Sequence, residues 1–278
     1  MLFQTHRREV TTRKPALAVA AAAAALLFMS ISTPAQAITN GVPDGDGHPA
    51  VGLMVAFQDG APAWRCSGTL ISPTLYLTAG HCTFDADHVE VWFDDDLRDA
   101  AATGYPFTGD VSGTPYTHPD YDDAAFYLHD LGMVVLDEPV DIDPQYFGTL
   151  PALNQLDSLA TKRGKQDVTF TAVGYGLQKS FPDAASWKDQ AERLRMVSHP
   201  KLNQINTGFT GDGSLLLSNN AHTGGTCSGD SGGPTFIGTS LQLAGVTSFG
   251  LNVTCAGTGG VYRIDRADDL AFIGEFLN

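Results

Sequence analysis

Beyond residue 37 this chain shows no long amphipathic helical pattern until its last dozen residues, and that absence constrains the fold most. Apolar residues come instead in short runs rich in β-branched and aromatic side chains. They are Val51–Phe57, Thr69–Gly80, Val89–Phe93, Leu131–Leu136, Val168–Gly176, Leu241–Gly250 and Gly260–Ile264. Gly, Pro, Asp and Asn separate these runs, as turn residues separate strands. The one helical pattern is terminal. Leu270, Ile273 and Leu277 recur at spacings of three and four, with Asp268 near the start. The chain therefore reads as all-β with a C-terminal helix. A Pro- and Asp-rich stretch, Asp137–Gln155, divides it into two β halves of similar size, approximately 38–150 and 151–278.

The N-terminal segment has the three parts of an export signal. Arg7, Arg8, Arg13 and Lys14 make a basic start, Ala16–Met29 is an apolar run of 14 residues, and Ala35-Gln36-Ala37 is a small-residue cutting site. A membrane span needs about 20 apolar residues, and no later stretch comes close. The expectation is a signal peptide over 1–37, a secreted chain starting at Ile38, and no membrane attachment after the cut. Arg7-Arg8, followed by Glu9, makes a poor twin-arginine signal. Removing 1–37 takes four of 16 basic and one of 31 acidic residues, leaving a net charge of −18 over 241 residues. Such a surface repels nucleic acid and anionic lipid.

Cys66, Cys82, Cys227 and Cys255 all follow the cut. An even count in an exported chain reads as two disulfides, with three pairings open. There is no Cys-x-x-Cys spacing for zinc. The acidic stretches Asp94–Asp96 and Asp120–Asp123 offer oxygen ligands, but neither has EF-hand spacing, and solvated loops are the expectation. No metal and no cofactor are expected.

The chemistry concentrates in "GTCSGDSGGP", Gly225–Pro234. Its glycines let backbone approach a substrate and adopt left-handed conformations, which suits a serine whose neighbouring N–H groups face a developing oxyanion. Gly229-Asp230-Ser231-Gly232-Gly233 also fits Gly-x-Ser-x-Gly, the nucleophile elbow of α/β-hydrolases. That fold places its histidine after the serine. All eight histidines here precede Ser231, so the order His, Asp, Ser remains. His81 stands beside Cys82 at the end of a strand-like run, where a disulfide would hold it still; His129 and His222 stay open by position. Asp130 opens the apolar run "LGMVVL" and should be partly buried, where a carboxylate needs a partner. Asp122 and Asp123 compete from a wetter stretch.

"TAGHC", "HDLGMVV" and "GDSGGP" occur in that order, with "ITNG" at the expected mature start and "SFG" and "GVY" near the end. In these motifs the chain resembles the trypsin/chymotrypsin-like secreted serine proteases across essentially all of 38–278. The resemblance implies two perpendicular antiparallel β-barrels with a C-terminal helix. It implies Ser231 as nucleophile, His81 as general base, Asp130 as its orienting acid, and an oxyanion hole from the Gly229 and Ser231 N–H groups. It pairs Cys66 with Cys82 and Cys227 with Cys255. It places Ser248 on the substrate-binding strand, Gly225 at the base of the primary pocket, and Gly250 and Gly260 in its walls. With no aspartate at 225, the pocket is expected to take large apolar residues. Finally, the resemblance pairs the Ile38 α-ammonium, freed by the cut, with Asp230. The expected partner is a polypeptide substrate and the expected state a monomer. The rival reading is a catalytically silent binding protein on a protease fold; such proteins usually lack a triad residue, and this chain keeps all three.

Overall fold

A computed structural model describes residues 38–160, 167–178 and 192–277; the expected signal peptide and its cut lie outside them. After β1 (Val42–Pro43), six strands close a barrel: β2 (Val51–Gln58), β3 (Ala61–Ser72), β4 (Leu75–Thr78), β5 (His88–Trp92), β6 (Val111–Thr117) and β7 (Gly132–Leu136). Their order is β2-β3-β4-β7-β6-β5, and every neighbour is antiparallel. The β2–β3 hairpin turns at Asp59 and Gly60, both at positive φ, the Asp-Gly signature of a two-residue loop. Leu53, Leu70, Leu77, Trp92 and Met133 fill the interior and are fully buried. Two one-turn helices, α1 (Gly80–Thr83) and α2 (Ala100–Thr103), interrupt the barrel connections.

The remaining strands are β8 (Phe170–Gly174), β9 (Met196–Ser198), β10 (Leu202–Ile205), β11 (Ser214–Asn219), β12 (Pro234–Ile237), β13 (Leu243–Gly250) and β14 (Gly257–Arg263). They form one sheet with β1, in the order β1-β9-β8-β12-β13-β14-β11-β10. Its two flanks meet through little more than one bridge. Thr169 pairs with Lys201, and the Leu202 N–H donates to the Val168 carbonyl. Two barrels thus resolve into one closed barrel and one sheet curled until β10 touches the start of β8. The strands of the closed barrel end at Leu136 and those of the curled sheet resume at Phe170, on either side of Asp137–Gln155. β1 is the exception to a division near residue 150: it precedes the barrel yet pairs with β9, Val42 opposite Val197.

The C-terminal helix α3 spans Ala267–Phe276. Its buried residues are Asp269, Phe272 and Ile273, so the face is rotated from the Leu270–Ile273–Leu277 stripe, and Leu277 is exposed. The reason is polar. Asp269 occupies a core position because its carboxylate accepts the Tyr262 hydroxyl at 3.0 Å, and an acid there hides the inward face from a hydrophobicity pattern. Burial, reinforced by Asp268, pushes Asp269 up to about 8.

Candidate active site

β4 delivers His81. The strand ends at Thr78, α1 follows, and Cys82 in that single turn is bonded to Cys66 on β3. The turn closes tightly on β7: a Cβ on Gly80 would stand 3.0 Å from the Leu131 nitrogen. This brings Asp130 to His81. The His81 backbone N–H donates to Asp130 Oδ1 at 2.8 Å, and Nδ1 lies 3.0 Å from both carboxylate oxygens. Asp130 has no solvent exposure. A third donor comes from β13, where Ser248 Oγ reaches Asp130 Oδ2 at 2.5 Å. A buried carboxylate requires such partners. Burial is the largest influence on His81 and lowers its pKa, but the charge of Asp130 and its hydrogen bond together outweigh it, and the pKa ends above the usual imidazole value.

Ser231 sits in the turn between Asp230 and β12. Its carbonyl accepts the Ser67 N–H at 2.7 Å, and the next N–H, Gly232, donates to Thr247 at 2.7 Å, one residue before Ser248. Gly232 has φ +77°, and a Cβ there would overlap Thr78 Oγ1 at 2.0 Å. Only glycine lets the nucleophile turn pack this closely on the end of β4, three residues from His81. Among the described residues no hydrogen bond joins His81 to Ser231; in unliganded sites such bonds are commonly long and tighten with substrate.

Beside the serine, Gly229 has φ +94°. Its carbonyl is turned back into the protein, where Ser67 Oγ donates to it at 3.0 Å. Among the described residues neither the Gly229 nor the Ser231 N–H has a protein acceptor, the state required of donors that await an oxyanion. Ser67 itself accepts from the Tyr175 N–H at 3.0 Å. This serine was not anticipated from sequence, because a small residue after Cys66 carries no signal of its own.

Asp230 is fully buried under this loop. It accepts from the Gly176 and Cys227 N–H groups, each at 2.8 Å. Burial pushes its carboxyl up to about 7, against the opposing pull of those two bonds and of Arg65. Gly174 and Gly176 make room for it: a Cβ on either would stand 2.4–2.5 Å from the carboxylate. Ile38 is also fully buried, packed with Met196 and Leu194. In the uncut chain its nitrogen is an amide joined to Ala37, and among the described residues no ion pair connects it to Asp230. The residue after it, Thr39, forms a bridge with Gly225.

A cavity of about 360 Å³ opens at Ser231, lined by residues that include Thr226, Ser228, Ser248, Phe249, Gly250, Leu251 and Val253. The Cys227–Cys255 disulfide forms one wall. Among the described residues no charged side chain lines it. Gly250 leaves space: a Cβ there would meet only the Asn252 carbonyl, at 3.5 Å. Gly225 and Gly260 do not line the cavity. A Cβ on Gly225 would strike the Asn219 side chain at 2.3 Å, and one on Gly260 would strike the Phe249 ring at 2.4 Å. A Cβ on the neighbouring Gly259 would stand 3.0 Å from Thr226 Oγ1, and Gly259 does not line the cavity either. A bulge in β13 puts Gly260 opposite Phe249: Thr247 opposes Val261 and Phe249 opposes Gly260, so Ser248 is the extra residue. His222 lies outside this constellation; its N–H is held by Asn220 in a turn. The acidic stretches serve locally, Asp96 pairing with Arg98 and Asp122 capping a 3₁₀ turn.

Comparison with known proteins agrees with the geometry. A family model described as Trypsin matches residues 41–268. Similar proteins include glandular kallikrein-10 of Rattus norvegicus, 29% identical over 206 residues, covering 69% of this chain and 73% of the kallikrein. Brachyurin of Leptuca pugilator is 29% identical over 197 residues, covering 68% and 77%. A trypsin of Saccharopolyspora erythraea is 27% identical over 205 residues, covering 71% and 80%. Among solved structures, HL collagenase superposes with a TM-score of 0.67 at 19% identity, over 86% of this chain and 98% of that one. A mutant of human heparin binding protein gives 0.62 at 20% identity, over 87% and 97%. The two structural likenesses bear on the fold.

Proposed function

The chain belongs to the trypsin family of serine proteases, and we propose that it is a secreted endopeptidase using Ser231, His81 and Asp130. The observation that carries this is His81 held by its backbone and its ring to a fully buried Asp130, with Ser231 lining a cavity in a turn that packs on the end of the strand leading to His81. Ser231 Oγ attacks the scissile carbonyl carbon and gives its proton to His81. Asp130 holds the tautomer that leaves Nε2 free and stabilises the imidazolium. The tetrahedral oxyanion accepts from the Gly229 and Ser231 N–H groups; one such donor is worth about 3 kcal/mol. His81 then passes its proton to the leaving amine, and water repeats the sequence to release the acyl group. Ser248 is a positioning residue: its hydroxyl fixes the carboxylate that fixes the imidazole.

The uncharged cavity favours a large apolar residue before the scissile bond, whose burial contributes roughly 2–3 kcal/mol. Activation follows from Asp230. Among the described residues its buried carboxylate has no cation in hydrogen-bonding contact, and a cut before Ile38 creates an α-ammonium on a residue that is itself fully buried. In this reading the export cut after Ala37 is also the activating cut. A fluorophosphonate probe tests the chemistry. Labelling of Ser231 that is lost on His81→Ala supports it, whereas a folded protein that takes no label is the catalytically silent binding protein. A cleavage profile on a mixed peptide library tests the pocket; dominance of Lys and Arg before the cut would overturn that part.

A further inference from the structure

β3 carries an arginine that the proteolytic reading leaves unused. Arg65 is partly buried and directly precedes Cys66. Among the described residues its side chain has no ion pair and no hydrogen bond, whereas the other five arginines there are held by carboxylates or carbonyls. Arg65 is near enough to Asp230 to oppose that carboxyl's upward shift, yet the two form no ion pair. A partly buried guanidinium has given up water without gaining an acceptor, so an incoming carboxylate meets little further desolvation cost.

The strand aims this cation at the nucleophile turn. Arg65 and Ser67 are two residues apart with no bulge between them, so they share a face of β3. Ser67 Oγ holds the Gly229 carbonyl. Arg65 packs on the same glycine: a Cβ on Gly229 would stand 3.2 Å from Arg65 Nε and 3.3 Å from Nη2. Those two nitrogens form one edge of the guanidinium, the kind of edge that binds a carboxylate through two parallel N–H bonds. Arg65 does not line the cavity at Ser231. It lines a separate depression of about 280 Å³ with Pro62, Trp64, Tyr105 and Pro106. The residue before the scissile bond fills the first cavity, so the chain after that bond leaves in another direction. Outside the cavity the nucleophile turn continues onto β3, whose Ser67 N–H donates to the Ser231 carbonyl.

We propose that Arg65 binds a substrate carboxylate within the first three residues after the scissile bond, giving the enzyme a preference for acidic residues on the leaving side. An extended chain advances about 3.3 Å per residue, so three residues reach roughly 10 Å beyond Ser231, and Gly229 lies only two positions from that serine. The inference rests on the proteolytic reading and adds to it a second, charged determinant opposite the uncharged cavity.

The test uses amidated peptides with Phe before the scissile bond and Glu, Gln or Lys placed in turn at the first, second and third positions after it. At one of these positions kcat/KM for Glu should exceed that for Gln by at least about threefold, the scale of a charge-assisted contact that is partly solvated. In Arg65→Gln this preference should disappear, and in Arg65→Glu it should pass to Lys at the same position. The ratio does not depend on how much enzyme is folded or activated, so a structural loss at Arg65 cannot imitate the result. The acidic surface as a whole acts on all three positions alike and against Glu. Cleavage without a Glu preference at any position, or a preference undiminished in Arg65→Gln, overturns this proposal alone. Failure of the wild type to cleave any of the peptides overturns the proteolytic reading and this proposal with it.

Discussion

Asp230→Asn should act in opposite directions on the uncut chain and on the chain that begins at Ile38. In the uncut chain burial pushes the Asp230 carboxyl from 3.8 to about 7. The folded state then holds this proton more tightly than the unfolded chain, so stability falls as pH rises from about 4 to about 7. A shift of about three units corresponds to roughly 4 kcal/mol by pH 8. Asparagine removes that penalty but meets two N–H donors, from Gly176 and Cys227, with one carbonyl. Leaving one donor unmet costs about 1–3 kcal/mol. The net expectation is a stabilisation of roughly 1–3 kcal/mol at pH 8, or several degrees in melting temperature for a domain of this size, vanishing near pH 5. In the chain beginning at Ile38 the substitution strands a buried ammonium, which typically costs about 3–5 kcal/mol. Urea melts of both forms on a Ser231→Ala background, at pH 5 and pH 8, give all four numbers. If asparagine destabilises both forms alike, or if the uncut chain shows no loss between pH 5 and 8, Asp230 is not a carboxylate awaiting the Ile38 amine.

Ser231→Ala and His81→Ala should each lower kcat by several orders of magnitude with the fold retained, and the double variant should be little worse than either, as for groups that act as one unit; additive losses in kinetic assays would separate them. Because His81 serves as a base and its pKa is raised, kcat/KM should climb as pH rises, with a midpoint above 6.5. Ser248→Ala, which removes the third hydrogen bond to Asp130, should reduce kcat with little change in KM; a loss confined to KM would make Ser248 a substrate contact only. Gly225→Asp should not create cleavage after Lys or Arg, because its Cβ would overlap the Asn219 side chain; a library profile that switches to basic residues would show that Asn219 yields.

Segments whose physics is local were legible from residue types. The runs at Val51–Phe57 and Leu131–Leu136 are β-branched and apolar, and both are strands. The pairing of Cys66 with Cys82 came through the family resemblance rather than from spacing, and the two are bonded. β12 was hidden, because Pro234–Ile237 follows directly on the glycines of the nucleophile turn, and β6 was hidden by Gly113 and Pro115 in its middle. Gly174 and Gly176 read as strand residues, yet their lack of a side chain is what admits Asp230. That requirement arises from a residue more than fifty positions away, and no local pattern expresses it.

The bulge at Ser248 sets the register beside the cavity and also explains the site's best-held carboxylate. In an unbroken ladder successive side chains alternate between faces, so counting along the sequence gives the register. A single extra residue breaks that count without leaving a proline or glycine at the break to announce it. Here it lets Ser248 reach Asp130 on one side, while Phe249 realigns opposite Gly260. The irregularity that breaks the count beside the cavity is therefore the same one that aims a hydroxyl at the buried acid. Substitutions meant to reshape the cavity should accordingly target Gly250 and Thr226, which line it. A bulky residue at Gly260 meets the Phe249 ring before it meets substrate, and displacing that ring pulls on the strand that holds Asp130.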